Sequence, residues 1–411
     1  VKKMKKNILI VSHTMELGGV ERSLLGLLGA IDYTKYKVDL FLFRQEGELL
    51  SLIPKGVNLL PEIPAYTVLA RSMYQTLREG HVILTAARLL GKLAANSYAK
   101  KHHYVNSGVA IEYSHKYTRY FMPDIQKDIE YDFAISFLTP HYFVNEKVDA
   151  KHKIAWIHTD YLTVQVNIDS ELKMWSAYDY IASISENVTK NFVKIFPSLE
   201  KKIILVENIL PKSLVETQAK VLVPQAFESN ILNLLSVGRF STSKNFDSVP
   251  EICSRIINKG VKVKWFLIGY GGDEPLIRQK VKESGMQEYV IILGKKENPY
   301  PYIRSCDVYV QPSRYEGKCV AVREAQMLGK PVIITNYTTA PSQLEDGVDG
   351  MIVPMEIEKC AQAIVDILKN ENLLHELSEN CKQRDYSNAE EIEKIYEIME
   401  ESDIGMVRKK R

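Results

Sequence analysis

The sequence predicts an α/β chain of two Rossmann-like domains, each a parallel sheet wrapped by helices, facing one another across a cleft. Three observations predict it. The 411 residues exceed what one ordinary domain holds. Short β-branched apolar runs alternate with stretches of helical periodicity, the pattern of doubly wound sheets. The alternation also starts afresh after residue 230, following a segment that has no clear period.

The elements follow in order. "NILIV" (7–11) is a buried strand, "SHTMELGG" a glycine-bearing loop, and "VERSLLGLLGAI" a helix with Val20, Leu24, Leu27, Leu28 and Ile31 on one face. Strands are expected at 37–43, 131–137, 153–158, 178–185 and 201–208, with a helix "ENVTKNFVKIF" entered at Ser185 or Glu186. The segment 211–230, with Pro211 and Pro224, reads as a linker. A second series then runs through strands at 233–240, 263–269, 290–294, 307–313 and 331–336, with helices at 248–260 and 275–285. Residues 1–210 form the first expected domain and 231–385 the second. Residues 386–411 hold a charged helix, "AEEIEKIYEIM", expected to cross back onto the first domain.

Composition narrows the class. Apolar residues make up 45% and charged residues 25%, as in a globular chain rather than a disordered one. A formal charge of +2 gives no general attraction for nucleic acid, and no such partner is expected. The five cysteines lie in the second half without CxxC or metal-ligand spacing, which reads as reduced thiols in a cytoplasmic protein and no metal site. The apolar run after Lys6 ends at Val11, too short for a signal peptide, and no stretch of about 18 apolar residues suggests a membrane span. Val1 reads as an alternative start, with Met4 as the other candidate.

Basic residues are uneven. Between 66 and 104, Arg71, Arg78, Arg88, Lys92, Lys100 and Lys101 stand against the single acid Glu79, with His81, His102 and His103 besides. With Leu90 and Leu93 nearby, this segment is read as a surface for an anionic membrane, or equally as a solvated helix pair. The ends are basic too: Lys2, Lys3, Lys5 and Lys6 at the start, and Arg408 to Arg411 at the finish.

Five motifs carry chemistry. In "GRFSTSKN", Arg239 and Lys244 follow a strand and enter a helix, where fixed charge and backbone N–H groups suit a phosphate. Gly18 and Gly19 allow a ligand close approach to the backbone, as do many plain turns. "IGYGGDEP" lacks the G-x-G-x-x-G spacing and reads as a turn near a nucleotide base. His158 ends a strand, where side chains face the crevice of a doubly wound sheet, although a lone histidine is more often structural. In "SRYEGKCVAVREAQMLGKPVI", Glu316 sits in the loop after a strand and Glu324 two helical turns on. Carboxylates so placed accept hydrogen bonds from vicinal hydroxyls of a sugar or ribose.

Together these residues resemble the family-4 retaining glycosyltransferases of GT-B architecture, bacterial surface-polysaccharide type, over essentially the whole chain. The resemblance implies that Glu316 meets donor-sugar hydroxyls and Glu324 the ribose, with Gly317, Lys318, Cys319 and Val320 lining the donor. It implies that Arg239 and Lys244 bind the diphosphate, that Gly18 and Gly19 approach it, and that His158 lies near the reacting sugar. Asn208 matches the family's asparagine, but the acidic residue usual after it is absent from "VENILP", and Lys318 and Cys319 depart from the small or proline residues usual there. The implied reaction moves a hexose or N-acetylhexosamine from a UDP-sugar to a saccharide acceptor on a polyprenyl carrier, at the inner face of the plasma membrane, without cofactor or metal. A nonhydrolysing nucleotide-sugar epimerase and a non-catalytic nucleotide-sugar-binding module remain the alternatives.

Overall fold

The structure is a computed structural model that describes residues 5–105, 107–221, 227, 228 and 230–409, the side chains of 401–409 excepted. Val1, Lys2, Lys3, Met4, Pro224, Lys410 and Arg411 lie outside the described residues, as do the side chains of Arg408 and Lys409. The chain divides into two compact units, one formed by 1–209 together with 389–411 and the other by 210–388.

Unit 1 is built on seven strands: β1 (Lys6–Ser12), β2 (Tyr36–Leu42), β3 (Val57–Leu59), β4 (Tyr131–Ser136), β5 (Ala150–Ile157), β6 (Tyr180–Ser183) and β7 (Ile203–Leu205). All pairings are parallel, in the order β3-β2-β1-β4-β5-β6-β7. Ile8, Leu9 and Ile10 are buried on both faces of the sheet, which is why β1 is a continuous apolar run rather than an alternating one. The strand order reverses at the β1–β4 pair, so loops leaving β1 and β4 part to opposite faces and open a crevice at their carboxyl ends. The helix Gly19–Ala30 buries Leu24, Leu27 and Leu28.

Unit 2 has six parallel strands: β8 (Leu232–Val237), β9 (Val263–Ile268), β10 (Val290–Gly294), β11 (Val308–Gln311), β12 (Val332–Thr335) and β13 (Met351–Val353). Their order, β10-β9-β8-β11-β12-β13, repeats the topology with the reversal at β8–β11. Trp265 fills the core, and its indole N–H donates to Ser236 Oγ at 2.9 Å. The five cysteines are free and buried. Among the described residues no helix is long and apolar enough to cross a membrane.

The structure adds elements to those expected. β3 and β13 are three-residue strands, too short to show a period. The segment read as a linker, 211–230, includes the helix Lys212–Gln218, and Val215 with Ala219 is buried in the core of unit 2. One buried residue in so short a helix, with a second at its C-cap, leaves no visible period. Residues 66–104 hold the helices Met73–Arg78 and Val82–Lys101, the first closed by a capping box in which Ser72 and Gln75 exchange hydrogen bonds.

The terminal helix Ile392–Lys409 belongs to unit 1. Tyr396 stacks on Tyr36 with centroids 4.7 Å apart, and its hydroxyl accepts from the Asp32 N–H at 2.8 Å. Lys6 Nζ donates to the Met399 carbonyl, and Glu391 accepts from the Glu207 N–H. Tyr396→Ala is expected to lower the unfolding free energy of unit 1 by about 3 kcal/mol. Urea unfolding of the variant beside the native chain checks this, and an unchanged midpoint would mean that the terminal helix is only loosely held.

Candidate functional site

The crevice end of the second sheet gathers most of the expected residues. Two loops build it, one leaving β8 and one leaving β11. After β8 the chain turns through Gly238 and Arg239 into two short 3-10 turns, Thr242–Lys244 and Phe246–Ser248. Between them Asn245 adopts φ 58°, a conformation that asparagine tolerates better than most residues, and its amide donates to the Pro312 carbonyl at 2.9 Å. The loop after β11 is tied to the first by Arg314, whose guanidinium forks onto both carboxylate oxygens of Asp247 at 2.9 and 2.8 Å.

Across these loops Lys244 Nζ meets Glu316 Oε1 at 2.5 Å, with side-chain exposures of only 17% and 11%. Burial opposes the lysine charge, but Cys319 and Glu316 outweigh it, and the pKa of Lys244 rises above its ordinary value. A polar chain runs back from the carboxylate into the core. Ser313 Oγ donates to Glu316 Oε1 at 2.6 Å, Gln311 Nε2 to Ser313 Oγ at 2.9 Å, and Tyr309 donates to Gln311 Oε1 at 2.8 Å. Thr339 Oγ1 holds the Glu316 carbonyl at 2.8 Å.

Cys319 occupies the N-cap position of the helix Val320–Met327. Its backbone is clamped by the Gln343 amide, which accepts from the N–H at 2.7 Å and donates to the carbonyl at 3.2 Å. Its sulfur faces the Ala321 and Val322 N–H groups and lies 3.8 Å from Lys244 Nζ. Burial and Glu316 nonetheless push the thiol up to about 11, so it is not a thiolate at neutral pH. Lys318 is turned away, with Nζ on the Ser342 carbonyl at 2.6 Å. Gly317 follows Glu316 in the loop, Val320 opens the helix, and Arg239 is exposed.

Glu324 lies apart from that pair. It is fully buried within its helix, and Tyr300 Oη donates to its Oε1 at 2.8 Å. The two glutamates thus occupy different environments, one paired with a cation and one held by a phenol. Gly269 and Gly271 have φ of 155° and 156°, and a Cβ on either would stand 1.8 or 2.2 Å from the carbonyl of Gly238 or Phe240. The "IGYGGDEP" glycines therefore let this turn lie backbone to backbone against the loop carrying Arg239.

Unit 1 holds the other expected residues. Gly18 is the N-cap of its helix with extended φ of −148°. Ser23, one turn along, donates to Asn208 Oδ1 at 2.9 Å, so the asparagine after β7 is joined to the helix that the glycines open. His158 follows β5 and packs at 4.6 Å from Phe137. One ring nitrogen engages the Phe137 backbone, leaving Nε2 buried without a partner in the chain.

His158 has company that sequence reasoning missed. His13 follows β1, stacks on Phe43 at 4.7 Å and faces His115 at 5.4 Å. His141 follows β4 and bonds Ser136 Oγ through Nδ1 at 2.8 Å. Burial holds His13 at about 4 and His158 at about 3, and drives His115 and His141 well below the usual range. This end of the first sheet is therefore lined by neutral imidazoles. Among the described residues no three His, Cys, Asp or Glu side chains are grouped to hold a metal ion.

Chemically, unit 2 offers a fixed cation beside a helix N-terminus, suited to an anionic oxygen, and one partly open carboxylate, Glu316, suited to hydroxyls, with Glu324 fully buried behind it. The other overlooked residues, Asn245, Tyr300, Arg314 and Gln343, position these groups. The "SKN" tripeptide signalled Asn245 as a turn residue, while Tyr300 and Gln343 act across sequence separations of 24 and carried no local signal.

Comparison with known proteins finds similarity chiefly in this half. Residues 224–384 match the model of glycosyl transferases group 1. An amylovoran biosynthesis glycosyltransferase of Erwinia amylovora is 29% identical over 145 residues, 33% of this chain and 35% of that protein. A poly(glycerol-phosphate) alpha-glucosyltransferase of Bacillus subtilis is 26% identical over 147 residues, 35% of this chain and 22% of that protein. The chain thus spans about a third or less of the length of these curated relatives. In fold it is similar along nearly its whole length to Anabaena HepE, solved in complex with UDP and glucose, at 14% identity and a TM-score of 0.68, covering 96% of this chain and 100% of that one.

The buried histidines set a pH dependence. Unfolded histidines titrate near 6.5, whereas His13 and His158 refuse the proton down to about 4 and about 3. Their stabilisation is full above about 6.5 and is lost as pH falls towards those values. At pH 5 each is expected to cost about 2 kcal/mol of stability. Urea midpoints at pH 7.5 and 5.0 check this, and His158→Gln is expected to shrink the difference.

Proposed function

We propose that this chain, which carries a group 1 glycosyl transferase domain over residues 224–384, is a GT-B glycosyltransferase of bacterial surface-polysaccharide synthesis. It moves a hexose or N-acetylhexosamine from a UDP-sugar to a saccharide on a lipid carrier, at the inner face of the plasma membrane, with retention of configuration. The observation that carries the reading is the Lys244–Glu316 pair at the reversal of the second sheet, with Cys319 and the following helix N-terminus beside it.

Lys244 and Arg239 take the diphosphate, helped by the backbone around Gly317 and Val320. Cys319 shapes the donor pocket, Lys318 ties its loop to the Ser342 carbonyl, and Glu316 accepts from sugar hydroxyls. Glu324, oriented by Tyr300, accepts from the ribose. Gly18 and Gly19 give the diphosphate and acceptor close access, and Asn208 steadies their helix through Ser23. His158, neutral with a bare Nε2, accepts a hydrogen bond from a sugar hydroxyl without adding charge. The diphosphate leaves from the face at which the acceptor arrives, and its oxygen takes the acceptor proton. The protein's contribution is electrostatic, since Lys244 and Arg239 meet the charge that grows on the leaving group. UDP is favoured by the HepE complexes, which hold UDP and UDP-glucose.

Calorimetry with UDP, GDP and ADP tests the reading. The native chain is expected to prefer UDP, Glu324→Ala to lose at least about tenfold in affinity, and Tyr300→Phe to lose a smaller part of it. No binding of any nucleotide sinks the reading. Lys244→Ala is expected to slow sugar transfer by about 10²-fold or more. Conversion of the UDP-sugar to its epimer without an acceptor and without net release of UDP would point to an epimerase instead.

A further inference from the structure

The helix Val82–Lys101 is apolar on two opposite faces. At about 100° per residue, Leu84, Ala87, Gly91 and Ala95 fall on one stripe, and all four are buried. That stripe packs on the helix Val109–Thr118 so closely that a Cβ on Gly91 would stand 2.8 Å from the Tyr113 carbonyl. Across the helix, Val82, Ile83, Leu89, Leu90 and Leu93 fall within a sector of about 120°. They are open to solvent, Ile83 at 63% and both Leu90 and Leu93 at 58%. The preceding helix Met73–Arg78 adds Tyr74 at 75% and Leu77 at 50%. A surface helix needs one apolar stripe; the second has no partner among the described residues.

Charge says what covers it. Lys100 and Lys101 continue the open sector past its apolar turns, Lys92 flanks it, and Arg78 stands before it, all exposed. The single acid of residues 71–103, Glu79, is already paired with Arg71, and the Arg88 guanidinium is spent on the Val68 and Arg71 carbonyls. A second copy docked on this face by two-fold symmetry would bring cations against cations with no carboxylate to receive them. An anionic lipid surface receives both features, taking the leucines between acyl chains and the lysines at its headgroups.

We propose that this helix is an in-plane membrane-docking element, inserted through Val82, Ile83, Leu89, Leu90 and Leu93 and anchored by Lys92, Lys100 and Lys101 on anionic lipid. It deepens the reading of a lipid-linked acceptor given above, but vesicle binding is measured without turnover, so the two can fail separately.

Sedimentation with vesicles of neutral phosphatidylcholine, with and without anionic phosphatidylglycerol, tests it on the full chain at low salt. The native protein is expected to bind the anionic vesicles at least about tenfold more tightly than the neutral ones. Leu90→Glu/Leu93→Glu is expected to lose at least about tenfold, and Lys100→Glu/Lys101→Glu to lose most of the preference for anionic lipid. Because all four positions are exposed, circular dichroism and UDP affinity should stay native. Absence of vesicle binding by the native chain overturns the proposal, as does equal binding by Leu90→Glu/Leu93→Glu. A native dimer that the leucine substitutions dissociate also overturns it, since a second copy would then cover the face. Vesicle binding without UDP binding upholds it and removes only the transferase reading.

Discussion

The contact between Lys244 and Glu316 is the interaction around which the second unit is arranged. Taking two opposite charges out of water costs several kcal/mol each, and their attraction repays this only with good geometry and further hydrogen bonds. The surroundings supply both. Asn245 and Arg314 fix the distance between the two loops, and the chain from Tyr309 through Gln311 and Ser313 satisfies the carboxylate. Groups held this firmly before a ligand arrives spare it the cost of arranging them. The same pairing tempers the cation, because an incoming anion must share Lys244 with a carboxylate already in place.

The two units answer different demands with different chemistry. Unit 2 gathers fixed charge at the carboxyl end of its sheet. Unit 1 gathers histidines that burial keeps neutral, beside Phe43, Phe137 and Trp156. Both exploit one property of the topology: loops diverge where strand order reverses, leaving room above β1 and β4 or above β8 and β11.

Much of this was legible from the residues. Continuous apolar runs such as "NILIV" announced strands buried on both faces, and the restart after residue 230 announced the second sheet. Lys244, Glu316 and Glu324 stood out by their spacing around two strand ends and the helical segments that follow them. The remainder was invisible for physical reasons. β3 and β13 are shorter than any period. The imidazoles of His13, His115 and His141 come together only through tertiary packing, and nothing local to "SHT" or "YSHKY" says so. Tyr300 and Gln343 read as ordinary helix residues until the fold sets them against Glu324 and Cys319. The linker reading of 211–230 lost its first part to a helix whose burial depends on a core assembled from residues between Leu235 and Leu344.

Unit 1 is discontinuous in sequence: its chain departs at residue 209 and returns only at 389. During synthesis this imposes an order. Unit 2 is one unbroken segment and can close its sheet as soon as it leaves the ribosome. Unit 1, though begun first, waits for Tyr396 to reach Tyr36 and Asp32, contacts separated by some 360 residues. Until then that edge of the nascent molecule is bare, and the unit begun first is the last to be finished.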